Sequence, residues 1–255
     1  MLLAVSAFKG YQIEASDGAI GTCSDLLFDD RSWRVRWLVV DTGKWLTGRR
    51  VLLHPSALGA PDHEHHELPA HLTKAQIEAS PDLGSDQPVS AQMESSLYGY
   101  YGWDPLWGGS GFGGGSMATP LSVPALFGAD TMRDASVLDI PREAGDPHLR
   151  STEALSRYHI HAVDGAIGHL ENLLIDDAAW GIRYLIVDTR NWWPGKHVLL
   201  SPYAVTDIDW AERNIRLDIT RTQVKASPPW DPIAMIDQVY EKALHHHYNW
   251  PGYGW

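Results

Sequence analysis

The chain repeats itself at an interval of 147 positions without a gap, and no other feature constrains its fold as strongly. Asp17-Gly18 maps onto Asp164-Gly165, Tyr11 onto Tyr158, Gly21 onto Gly168, Asp29-Asp30 onto Asp176-Asp177, Trp45 onto Trp192 and Gly48 onto Gly195. The match continues through Val51-Leu52-Leu53 and Val198-Leu199-Leu200, through Pro55 and Pro202, and on to Leu97/Leu244 and Trp103/Trp250. A match of that length is an internal duplication, so both halves must satisfy one fold.

Within each half the best-defined stretch is residues 33–42, Trp-Arg-Val-Arg-Trp-Leu-Val-Val-Asp-Thr, and its twin 180–189, Trp-Gly-Ile-Arg-Tyr-Leu-Ile-Val-Asp-Thr. Trp33, Val35, Trp37 and Val39, like Trp180, Ile182, Tyr184 and Ile186, alternate with period two, which predicts a β-strand. The opposite face begins polar at Arg34 and Arg36 and turns apolar at Leu38 and Val40. Such a strand starts half exposed and ends buried on both sides. Upstream, strands are expected over 11–15 and 19–28 (158–162 and 166–175), joined by Asp-Gly turns whose glycine accepts φ > 0. Downstream come the Val-Leu-Leu strands and, in the second half, 204–209 and 214–219. Thr73 and Thr220 read as helix N-caps, and residues 88–97 and 233–244 as amphipathic helices. Aromatic tails follow: Tyr98, Tyr100, Tyr101 and Trp103 in one half, and Tyr248, Trp250 and Trp255 in the other.

These signals divide the chain into a first unit (1–104), a linker and irregular segment (105–150) and a second unit (151–255). The run Gly108 to Gly115 reads as flexible linker, and 135–140 as a short strand. With 20 basic against 32 acidic side chains the net charge is −12, a poor balance for gripping a phosphate backbone, so nucleic acid is disfavoured as a partner. The single cysteine, Cys23, cannot make an intrachain disulfide, and its counterpart Leu170 marks it as a packing residue. The opening residues make a weak signal peptide, no apolar run is long enough for a membrane span, and a cytoplasmic location is the default expectation.

In this order and number, the motifs resemble the PRC-barrel family. They are Asp-Gly-X-Ile-Gly at 17–21 and 164–168, the Asp-Asp-X-X-Trp turn, the Val-Asp-Thr strand end, and Trp-X-X-Gly-X-X-Val-Leu-Leu-X-Pro at 45–55 and 192–202. The resemblance implies a mainly β protein: two small antiparallel barrels in tandem, each followed by short C-terminal helices. The family's scaffolding and assembly roles imply a non-enzymatic scaffold that binds a protein partner; duplication across a flexible linker, which makes pairing intramolecular, adds the expectation that the barrels pack as a pseudo-dimer, with homo-oligomerisation through the barrels left open. By family analogy, ribosome-maturation or photosynthetic reaction-centre accessory roles follow as further alternatives. A metal- or small-ligand sensor is the principal rival.

Candidate sites were weighed against structural roles. Asp17, Gly18, Gly21, Trp33, Asp41, Trp45 and Gly48, with Asp164, Gly165, Gly168, Trp180, Asp188, Trp192 and Gly195, form the shared structural motif. Asp41 and Asp188 are expected to lock their own turns rather than meet as a carboxylate pair. His63, His65, His66 and Glu67 have the donor chemistry of a metal site, but the second half has Trp210, Glu212, Arg213 and Asn214 in their place, so the fold does not need them. No cofactor is expected, since neither a phosphate loop nor a dinucleotide fingerprint occurs. No nucleophile, base and orienting group can be assembled from positions shared by the halves. The aromatic tails are the expected interaction surface, with a strap over the barrel as the alternative.

Overall fold

A computed structural model describes residues 1–80, 91–103, 148–189, 197–230 and 236–253. Trp192, Gly195, Trp255, the glycine-rich linker and the strand expected at 135–140 lie outside these residues. The first half comprises β1 (Leu2–Ala4), α1 (Val5–Phe8), β2 (Gln12–Ala15), β3 (Gly18–Asp29), β4 (Arg34–Asp41), β5 (Arg50–Leu53), β6 (Glu67–Pro69), α2 (Lys74–Glu78) and α3 (Ala91–Tyr101). The second comprises β7 (Leu149–Ser151), α4 (Thr152–Leu155), β8 (His159–Ala162), β9 (Gly165–Asp176), β10 (Gly181–Asp188), β11 (His197–Leu200), β12 (Val205–Asp209), β13 (Asn214–Leu217), α5 (Arg221–Lys225) and α6 (Gln238–Tyr248). Among the described residues the chain is mainly β, and the 13 strands they contain join in one mixed sheet. Most pairs are antiparallel, while β2–β6 and β8–β13 run parallel.

The sheet is continuous because the halves are stitched together twice. First, they trade their opening strands: β1 pairs with β9 of the second half, and β7 pairs with β3 of the first. Second, β4 meets β10 where Arg34 faces Gly181, its own counterpart in the duplication. There Val35 N–H donates to Trp180 O (2.8 Å) and Ile182 N–H donates to Trp33 O (2.7 Å), an isologous contact between equivalent atoms. Side chains reinforce the exchange. Asp25 of β3 accepts from Ser151 and from Thr152 (2.9 Å), while its counterpart Asn172 donates to Ser6 Oγ (2.6 Å). One apolar cluster includes Phe8, Phe28, Trp33 and Val35 together with Leu155, Ile175, Trp180 and Ile182, so the halves share a core.

The stretch beginning at Trp33 was expected to be strand from its first residue. Instead Trp33 and Trp180 sit in turns at φ 55° and 52°, a left-handed conformation that strains a bulky residue by about 1–3 kcal/mol. Burial holds them there. Trp33 stacks on Phe28 at 5.4 Å, and Trp180 lies 5.6 Å from Phe8. The preceding Asp29 and Asp176 accept the turn amides of Ser32 (2.8 Å) and Ala178 (3.0 Å). The predicted single face of β4 is also divided. A bulge falls between the Trp37 and Val35 pairings, so Trp33 and Val35 join the shared core whereas Trp37 and Val39 face a second cluster with Leu52, Leu97 and Leu149.

The Asp-Gly-X-Ile-Gly motif has a different reason at each of its ends. Asp17 and Asp164 accept the first helical amides of α2 and α5, from Lys74 and Arg221, each at 2.8 Å. Thr73 and Thr220 close full capping boxes with Gln76 and Gln223 on the same helices. Gly21 and Gly168, at φ 152° and 144°, pass so close to the neighbouring strand that a Cβ would lie 2.1 Å from Asp41 O and 1.9 Å from Asp188 O.

Two measurements follow. Gly168→Ala should cost at least about 3 kcal/mol in chemical denaturation, whereas Gly99→Ala on the exposed side of α3 should change stability by about 1 kcal/mol or less. Phe8→Ala should cost about 3–5 kcal/mol. It should also weaken amide-exchange protection in β9, against which α1 of the first half packs.

Candidate functional site: the cleft between the halves

Where the exchanged strand β7 runs beside β3, a cleft of about 700 Å³ opens between the halves. Its lining combines Asp30, Arg31 and Trp33 from the first half with His148, Arg150, Tyr203, Asp207, Trp210 and Tyr253 from the second. Asp30 is fixed by His148 Nδ1 (2.9 Å) and Arg150 Nε (3.3 Å), and the Arg150 guanidinium lies 4.2 Å over the Trp210 ring. Tyr203 stacks on Tyr253 at 5.4 Å and keeps 46% of its surface exposed. The cleft therefore offers aromatic faces beside charges of both signs.

The equivalent place on the other side of the molecule is occupied by the His-rich hairpin. His63, the counterpart of Trp210, bonds Asp177 through Nε2 (2.9 Å) and the Tyr11 hydroxyl through Nδ1 (3.1 Å). The Met1 amino group donates to the same Asp177. Burial of Asp177 works to raise its pKa, but these two donors outweigh that effect and the net shift is downward. His65 turns away to Asp62 (2.9 Å), and His66, at φ 56°, packs edge-on against Tyr11. Glu67 begins β6. The hairpin's imidazoles are spent on separate aspartates and on an aromatic ring. They do not converge on a point.

The aromatic tails are described as far as Trp103 and Tyr253. They pack back on their own halves through equivalent contacts. Tyr101 stacks on Trp103 and Tyr248 on Trp250, both at 4.2 Å. Tyr100 hydroxyl donates to Gln76 O (2.9 Å), and His247 Nε2 lies 2.9 Å from the equivalent Gln223 O. Tyr98 and Trp103 cover Trp37 and His54 at ring distances of 5.3–5.9 Å. Aromatic side chains suit a covering strap as well as a binding surface, because both reward large apolar area.

Beneath the straps the halves diverge. The first buries His54, whose Nδ1 accepts from Ser56 N–H (3.2 Å) and lies 2.8 Å from Ser56 Oγ; burial and the Arg36 charge push its pKa down to about 4. The second half has Ser201 there, bonded to Tyr253 (2.7 Å), and replaces Trp37 and Tyr98 with Tyr184 and His245. Tyr184 hydroxyl donates to Glu241 Oε1 (2.9 Å) and lies 2.9 Å from His245 Nε2; Arg183 reaches the same carboxylate (3.3 Å) and also pairs with Asp176. Burial lowers the pKa of His245 and raises that of Tyr184, so both stay neutral at physiological pH. Cys23 is buried, and burial beside Asp25 raises its thiol to about 12, in keeping with a packing role.

Asp41 and Asp188 also part company. Asp41 is exposed and accepts from Gly43 N–H (2.9 Å), the turn lock expected of it. Asp188 is fully buried and lies near His169 and His197. They do not meet, because the halves touch at the opposite ends of β4 and β10, at Arg34 and Gly181. His169, Glu171 and His197 were missed from the sequence, where their only signal is that the first half has Thr22, Ser24 and Arg50 instead.

The His54 environment sets a pH dependence with a defined sign. His54 is neutral when folded and titrates near 6.5 when unfolded, so the unfolded chain binds the extra proton between pH 6.5 and about 4. Its contribution to stability is complete above pH 6.5 and is lost as the pH falls through that window. An imidazole NMR titration should place the His54 midpoint near 4, and His54→Gln should flatten the acid limb of the stability profile.

No family model matches this chain, and no curated protein matches it.

Proposed function

We propose that the chain is a non-enzymatic scaffold of the PRC-barrel kind, whose paired halves present the cleft beside β7 to a peptide segment of a protein partner. The observation that carries this reading is the composition of the cleft: Tyr203 and Trp210 offer aromatic surface next to the Arg150–Asp30 pair, at a seam where both halves contribute. Aromatic and arginine side chains gathered in a concave seam are the usual anchors of protein recognition. The resemblance of the duplicated motifs to a family of assembly modules points the same way, and the net charge of −12 favours a protein over a nucleic-acid partner. No described helix is long and apolar enough to cross a membrane.

Affinity capture from native cells, comparing the wild-type chain with Trp210→Ala and Tyr203→Ala, tests the reading. Both side chains are at the cleft, and Tyr203 is exposed, so the melting temperature of Tyr203→Ala should stay within a few degrees of wild type. A partner recovered with wild type should bind each variant at least about tenfold more weakly, the loss of one anchor contact of about 1.4 kcal/mol or more. An unchanged set of captured proteins would remove the cleft as the recognition site.

A further inference from the structure

The second half carries a group of side chains that neither the fold nor the cleft explains. Asp188 ends β10 directly opposite His169 of β9 on one side and His197 of β11 on the other. Directly opposed residues of neighbouring strands project from the same face. Glu171 is the extra residue of the bulge between the Leu170 and Asn172 pairings, and the bulge turns it to the same face, where its Oε2 lies 2.8 Å from His197 Nε2. His169 Nε2 lies 3.6 Å from Asp188 Oδ2. Donor atoms of Glu171, Asp188 and His197 all fall within 4.8 Å of one another.

The first half repeats this backbone with different chemistry. Asp41 again lies between a β3 residue and a β5 residue, now Thr22 and Arg50, and Ser24 takes the bulge position. Three positions around one shared aspartate thus carry Thr, Ser and Arg in one half and His, Glu and His in the other. The first half places a fixed cation, Arg50, across from its exposed aspartate. The second half places two imidazoles around a carboxylate that is fully buried.

We propose that Glu171, Asp188 and His197 form the core of a site for one divalent transition-metal ion of the zinc class, which His169 completes by moving in from its position beside Asp188. Two imidazole nitrogens and two carboxylate oxygens suit such an ion better than calcium or magnesium, which favour oxygen alone. Zinc–ligand bonds of about 2.0–2.1 Å set neighbouring tetrahedral donors about 3.4 Å apart, close to the His169–Asp188 separation. The His197–Glu171 contact needs to open by about 0.5 Å, exchanging a hydrogen bond for two coordinate bonds. Asp188 forms a rigid base, while His169, His197 and Glu171 keep 31%, 28% and 45% of their side chains exposed, which gives an ion its entry. The bound ion would tie β9 to the adjoining ends of β10 and β11.

The test uses the untagged, chelator-stripped full chain titrated with Zn²⁺ by calorimetry and with Co²⁺ by visible absorption. Three forms are compared: wild type, the double variant Glu171→Ser with His197→Arg, and the hairpin variant His65→Ala with His66→Ala. The first half already carries Ser24 and Arg50 on the same backbone, so the double variant should fold. His197→Gln, which keeps a hydrogen-bonding group toward Glu171, provides a second probe. Wild type and the hairpin variant should each bind one zinc ion and show the intense absorption of four-coordinate cobalt. The double variant and His197→Gln should bind at least a hundredfold more weakly and lose that absorption. Equal affinity in wild type and both site variants, no binding by wild type, or loss confined to the hairpin variant would each overturn the proposal.

Discussion

Two backbone hydrogen bonds, Val35 to Trp180 and Ile182 to Trp33, hold the axis about which the molecule is organised. Each joins an amide of one half to the carbonyl of a tryptophan in the other, and each is the image of its partner under the duplication. The tryptophan carbonyls reach across only because the residues sit in left-handed turns, a conformation that large side chains resist. The rings offset that strain by filling the core beneath Phe8 and Phe28. Turn, core and seam are therefore one device. Loosening the ring packing would release the turn, and with it the register that sets β1 against β9 and β7 against β3.

Around this shared frame the halves have separate interiors. The first is closed by rings packed edge-on and tilted around a neutral histidine; the second holds a hydrogen-bonded line from Asp176 through Arg183 and Glu241 to Tyr184 and His245. Burying charges is tolerable in the second half because each has a partner at bonding distance. The same contrast recurs at the strand ends, where Asp41 meets solvent and Asp188 meets imidazoles. Duplication lets such divergence occur without endangering the fold, since the backbone solution is already fixed by Gly21 and Gly168, by Asp17 and Asp164, and by the capping boxes of Thr73 and Thr220.

Much of this was legible from residue order. Period-two alternation, Asp-Gly turns and threonine caps are local signals, and they located β2 to β5, their counterparts and both short helices to within a few residues. The Asp41 turn lock was legible for the same reason. Strand exchange was not, because β1 and β7 are three residues each and their apolar pattern would suit pairing within their own half equally well. The division of β4 between two clusters depends on a bulge that no composition rule announces. Sequence left the tails divided between strap and binding surface, because a ring that covers a core and a ring that binds a partner are the same residue types. At the His63 hairpin donor type was legible but direction was not, whereas His169, Glu171, Asp188 and His197 became neighbours only through register.

The exchange of opening strands also imposes an order on the chain's biogenesis. When the first half leaves the ribosome, β3 has no partner along the edge that β7 will occupy, and β1 has no strand to join until β9 is made. The earlier half must wait, incomplete, for more than a hundred residues of synthesis. Such long-range closure is entropically slow, and an open strand edge can accept the wrong copy in the meantime. Joining both halves in one polypeptide keeps the correct strand tethered nearby, so the duplication guards the nascent chain against its siblings.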